Sequence, residues 1–104
     1  MAQYDLRLNP SRQTRDDFPY LLEVQSDALS ATKRRVAVPL AEKKRVGPVD
    51  PTLHPLFDIN GESFLFMPFE IAAVLESDLG EVIGSLKAES DLIVGALDLL
   101  FARY

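Results

Sequence analysis

The sequence contains no cysteine, which excludes disulfide stapling and a zinc–thiolate site and is compatible with a reducing compartment. It contains one histidine, His54, so a metal site would have to be built almost wholly from carboxylates. No apolar run approaches the ~18 residues that span a bilayer. The first residues, Met1, Ala2, Gln3, Tyr4 and Asp5, lack the basic-then-apolar order of a secretory signal. A cytoplasmic protein without a membrane partner is therefore expected. There is no P-loop, no dinucleotide-binding glycine pattern, and no interleaving of aromatic and basic residues of the kind that base stacking needs. No internal repeat or low-complexity segment is visible. Net charge is −5 at pH 7, so long-range steering toward bare DNA or RNA is not expected.

What is present is an ordinary globular composition. The 104 residues are 47% hydrophobic and 26% charged, which reads as a single domain, 1–104, with a core that oligomerisation would supplement. The chain is organised around residues 20–40. Two apolar runs, 20–24 and 36–40, flank a polar connection that holds Ser26, Asp27, Ser30, Thr32 and the basic run Lys33, Arg34, Arg35. Leu22 and Val24 share one strand face, as do Val36, Val38 and Leu40, because strand side chains alternate. The pair reads as the centre of an antiparallel sheet. Pro39 has no amide hydrogen, so its position should face away from a neighbouring strand or mark a bulge.

Around that centre, Ala2, Tyr4, Leu6 and Leu8 alternate with polar residues and predict a half-buried strand over residues 2–8. Residues 12–17 are polar and read as a mobile loop. Pro48, Pro51 and Pro55 argue against a helix in the middle of the chain. Asn60 and Gly61 predict a type I′ hairpin turn between strands 56–59 and 63–67, with Phe64 and Phe66 directed into the core. Residues 71–75 read as the last strand. Leu79, Val82, Ile83 and Leu86 recur at three and four, which predicts a short turn or helical piece there, followed by the main helix over 87–102. Glu89 and Asp91 suit the start of that helix and Arg103 its end. Leu92, Ile93, Val94, Ala96, Leu97, Leu99, Leu100 and Phe101 cover more than one face of it. Such a helix is buried on two sides, either within its own core or against a second copy. A two-fold homodimer with helices near the axis is the simpler expectation.

The residues alone point away from an enzyme. His54 has no nucleophile near it in sequence and reads as a loop histidine bonded to backbone. Ser26 and Asp27 lack the base a catalytic triad requires and suit a turn. The basic runs 33–35 and 43–45 serve either as solvated edges that block strand aggregation or as a receiver for an acidic partner.

The pattern Val24-Gln25-Ser26-Asp27, a short insert, then Arg34-Arg35-Val36-Ala37-Val38-Pro39-Leu40 resembles the signature of the CcdB toxins, and the likeness runs almost end to end. It implies a mainly β fold with one C-terminal helix, an SH3-like β-barrel of the kind shared with MazF toxins, in a homodimer. It also implies a toxin that binds the gyrase A subunit and poisons DNA gyrase, a topoisomerase II, and that takes no cofactor. A CcdA-like antitoxin would neutralise it and join it in repressing their operon, reaching DNA only through that complex. Plasmid maintenance is one setting for such pairs. By family position the gyrase contacts are Ala28, Leu29, Asp98, Phe101, Ala102, Arg103 and Tyr104. Here the family's tryptophan is Ala102, its Gly-Ile pair is Arg103-Tyr104, and its asparagine is Asp98. The antitoxin contacts expected are Arg34, Arg35, Lys43, Lys44 and Arg45, beside loops 9–17 and 42–50. The departures at 102–104 raise a second possibility, an antitoxin-binding module of the same fold with an altered target. A third is a MazF-like endoribonuclease using His54 or Arg34.

Overall fold

The computed structural model describes residues 2–29 and 31–102. It is mainly β, with strands β1 (Asp5–Leu8), β2 (Tyr20–Glu23), β3 (Arg34–Glu42), β4 (Leu56–Ile59), β5 (Glu62–Phe66), β6 (Ala72–Leu75) and β7 (Val82–Ser85), and one C-terminal helix, α1 (Ser90–Phe101). The seven strands form one curled sheet in the order β4-β5-β3-β2-β1-β7, with β6 also paired to β3. Every pairing is antiparallel.

β3 is the longest strand and the centre expected of it, though it extends beyond residues 36–40 at both ends. One edge pairs with β2. The other is shared: Leu40, Ala41 and Glu42 pair with β5, and Arg34 to Ala37 pair with β6. Pro39 sits where one partner gives way to the next, and its carbonyl accepts the Met67 amide at 3.1 Å. The ladder hydrogen bond that proline cannot donate therefore falls at a junction between strands. The Asn60-Gly61 turn is as expected: both φ values are positive, 52° and 84°, and Ile59 pairs with Glu62 across it.

One face of the sheet carries Leu6, Leu22, Val38, Leu40, Phe57, Ile59, Phe64 and Phe66, and Ile93 and Ala96 of α1 complete this core. Phe64 and Phe66 point inward as the alternation requires. Tyr20 meets Phe64 edge-to-face at 5.0 Å.

The opposite face is also buried, and it holds charge. The Glu23 carboxylate, with no solvent exposure, accepts from Arg35 Nε at 2.7 Å and from Arg7 Nη1 at 3.0 Å. Arg7 Nε also donates to the Gly80 carbonyl at 2.8 Å. The triad thus joins β1, β2 and β3 to the segment that leads into β7. It carries one excess positive charge, and Arg35 Nη1 and Nη2 have no hydrogen-bond partner among the described residues. Apolar replacement of such a group is often neutral or stabilising, whereas removing one partner alone strands the other charges and is strongly destabilising.

Three expectations are corrected. The first strand starts at Asp5, because Tyr4 takes a left-handed φ of 71° and turns the chain before it. Leu8 is then 39% exposed while Arg7 is buried, so the inward set does not run through to Leu8. The strand at 72–75 is not the last. Residues 82–85 form β7 on the edge of the sheet beside β1, where a turn or helical piece was expected. All four β7 residues are exposed, so no two-residue alternation marks them, and the three-and-four spacing misleads. Gly80 makes the approach possible: a Cβ there would lie 2.4 Å from the Leu8 carbonyl oxygen. A 3-10 turn (Lys87–Glu89) runs into α1, so helical backbone covers 87–101, close to the expected span.

Glu23→Ala leaves two buried arginines without their shared carboxylate. It should lower unfolding free energy by about 3–5 kcal/mol, read from the urea midpoint at unchanged slope.

Candidate functional surface

The residues singled out by family position occupy two exposed places. The first is the end of α1. Asp98 and Ala102 are exposed, Phe101 is 67% exposed, and the Ala102 amide closes the last turn on the Asp98 carbonyl at 2.7 Å. Arg103 and Tyr104 lie outside the described residues. The second is a 3-10 turn (Asp27–Leu29) in the β2–β3 connection. Ala28 is exposed there, and Leu29 is 55% exposed.

α1 is buried along one side only. Ile93 and Ala96 face the sheet, with Leu97 packed beside them. Leu92, Val94 and Leu99 are 51%, 45% and 44% exposed, and Gly95 is open. Leu92, Ala96, Leu99 and Leu100 are expected to lie against the sheet or a partner helix: Ala96 lies on the sheet, Leu100 is half-buried, and Leu92 and Leu99 stand on the outer face.

The basic residues do not form one patch. Arg35 is wholly buried in the triad, so the expected surface contact there is corrected: residue 35 lies on a strand face covered by the chain itself. Lys44 pairs with Glu42 at 3.1 Å, and that hydrogen bond, then the Glu42 charge, raises the ammonium pKa above its ordinary value. Arg45 donates to the Asp16 carbonyl and lies 3.7 Å from Asp17. Loops 9–17 and 42–50 are thereby tied together. Asn9 organises the first of them. Its side chain is bonded to Thr14, to the Phe18 carbonyl and to the Ser11 amide, an anchoring that a polar composition does not reveal. Arg34 and Lys43 are exposed and make no salt bridge within 4 Å among the described residues.

Two of the hollows beside these loops bear on the site. One, of about 700 Å³, is lined by polar residues that include Asn9, Thr14, Glu70 and Asp78 and by apolar ones that include Leu21 and Pro39. The other, of about 490 Å³, is lined by Val46, Pro48, Pro51, Leu56 and Leu65, with Lys43 and His54 at its margin.

His54 behaves as a loop histidine. Its backbone amide donates to the Asp50 carbonyl, its ring Nδ1 lies 3.3 Å from the same oxygen, and the ring is 6.2 Å from that of Phe69. Arg34 opens β3, whereas His54 borders Leu65, which pairs with Ala41 near the other end of β3. Seven residues of strand separate those ends by about 23 Å, so the fold does not bring Arg34 and His54 together. No group of three or more metal-ligating side chains occurs among the described residues. None of their helices is long and apolar enough to cross a membrane.

Gln25 and Asp27 were read only as turn and motif residues. In the structure their side chains hold the connection that presents Leu29. The polar run at 25–27 was the available signal, but Asp27 bonds to Gln3, 24 residues earlier, and Gln25 bonds within its own connection and to Val36, which composition does not single out.

A curled antiparallel sheet with one C-terminal helix is the fold the sequence resemblance implied. The model of the family described as CcdB protein matches residues 3–102, and the chain belongs to that family, the toxins of toxin–antitoxin systems.

Proposed function

We propose that this chain is a gyrase inhibitor that binds the A subunit through the end of α1 together with the Ala28-Leu29 turn. The observation that carries the reading is the presentation of Phe101 and Leu29, large apolar side chains at 67% and 55% exposure, at the positions where the family makes this contact. Arg103 and Tyr104 would extend the surface as a directional donor and an aromatic anchor, both common hot-spot types. The protein acts by occupying its target, without a catalytic residue or a cofactor, in the cytoplasm. A CcdA-like antitoxin with an acidic disordered segment removes it and represses the operon with it. Arg34 and Lys43 are the exposed cations that support such a contact, and the apolar hollow beside Lys43 suits a side chain of that segment.

A homodimer belongs to the same reading. Leu92, Val94 and Leu99 give α1 an apolar outer face, and a two-fold axis beside it would cover that face and present each helix end twice. Leu99→Lys places a charge there and should convert a species of twice the chain mass into a monomer. Light scattering after size exclusion reads this directly, and a wild-type monomer would remove the dimer from the account.

The replacement of the family's tip by Ala102, Arg103 and Tyr104 favours a second reading, an antitoxin-binding module with an altered target. Controlled expression separates the two. Growth arrest relieved by extra gyrase A subunit, with inhibited supercoiling by pure protein, supports the first. Antitoxin binding without either effect supports the second.

A further inference from the structure

We infer that Gln25 and Asp27 are positioning residues that hold Leu29 as a preformed apolar knob, and that this knob seats in an apolar socket of the target. The inference rests on the gyrase reading above and adds to it the device that makes the contact rigid.

Main-chain pairing between β2 and β3 stops early. The Val24 amide donates to the Val36 carbonyl at 3.0 Å. The return bond, from the Val36 amide, goes to the Gln25 side-chain oxygen at 3.2 Å. The other end of the same amide group donates to the Leu29 carbonyl at 3.1 Å and to Thr32 Oγ1 at 3.3 Å. One side chain therefore ties the last ladder position of β3 to the backbone of Leu29. The turn itself closes with Leu29 N–H on the Ser26 carbonyl and Thr32 N–H on the Leu29 carbonyl.

Asp27 secures the other side. Its Oδ1 accepts the Gln3 amide at 2.7 Å, and Gln3 Nε2 donates to the Val24 carbonyl at 3.2 Å. The left-handed Tyr4 makes this meeting possible. Its φ of 71° turns the chain ahead of β1, and its amide is bonded to the Glu23 carbonyl. A non-glycine residue in that conformation is strained, so the contacts it permits must offset that strain.

These bonds immobilise a turn with no buried residue of its own. Core packing gains nothing from Leu29, yet its backbone is braced from two sides. Bracing an exposed leucine lowers the entropy lost when a partner buries it, which is the general gain from preorganisation. The partner chemistry follows from the side chain: an apolar socket, with no requirement for charge.

The test is a double-mutant cycle by calorimetric titration of the intact protein into the gyrase A subunit of the same host. Leu29→Ala should weaken binding at least about tenfold, as an anchor does. Gln25→Ala and Asp27→Ala should each weaken it severalfold in the wild-type background. In the Leu29→Ala background the same changes should cost less than about twofold, because contacts that act through one group are not additive. Asp27→Asn keeps the oxygen that accepts from Gln3 and should restore affinity. Amide exchange at Leu29 and Thr32 should quicken in both alanine variants. If Gln25→Ala weakens binding by the same factor with and without Leu29, its role is folding alone and the inference is overturned. If Leu29→Ala binds as wild type does, the knob is not a contact, while the gyrase reading stands. If the wild type itself does not bind the subunit, that reading falls and takes this one with it.

Discussion

The fold depends on one carboxylate. Glu23 sits between Arg35 on β3 and Arg7 on β1, and Arg7 passes the constraint on to the Gly80 carbonyl. A slip of one residue in β2 would exchange the two faces of the strand. Here a slip would pull Glu23 away from both guanidinium groups and leave three charges buried apart. That penalty singles out one pairing of β1, β2 and β3. It also explains why a domain of this size accepts a charged cluster on one face of its sheet while the apolar core occupies the other.

Once register is set, the exposed features follow from it. β2 ends at Glu23, the residue that holds both guanidinium groups. The chain then leaves the ladder at Val24, and Gln25 finishes the pairing with its side chain. The Leu29 turn is therefore presented by the same strand that anchors the triad. On the core side, Ile93 and Ala96 seat α1 against the sheet, which sends Leu92, Val94 and Leu99 outward and leaves Phe101 free at the helix end. Supporting strands and presented residues are thus two consequences of one register.

Much of this was legible in the sequence, for local reasons. Asn60-Gly61 specifies its turn through positive φ at two adjacent residues, a requirement met within the dipeptide. Phe64 and Phe66 reveal their face by spacing. The helix was visible in its apolar run, and so was the excess of apolar surface that its own sheet does not cover. What the sequence concealed depends on distant partners. Arg35 looked like a surface cation because the run Lys33-Arg34-Arg35 is basic, yet strand alternation sends Arg34 out and Arg35 in, where Glu23 waits twelve residues earlier. β7 was hidden because an exposed edge strand has no buried face to print a period. Asn9 and Gln25 were hidden because a side chain that replaces backbone pairing has no compositional mark.

The central claim is that the Leu29 turn and the end of α1 form one contact surface for the gyrase A subunit. Hydrogen exchange of the intact protein, alone and with that subunit, tests it most directly. The account predicts slowed exchange confined to residues 26–29 and 98–104, with β4 and the 700 Å³ hollow unchanged. Protection at the hollow or along β4, with residues 26–29 unaffected, would contradict it.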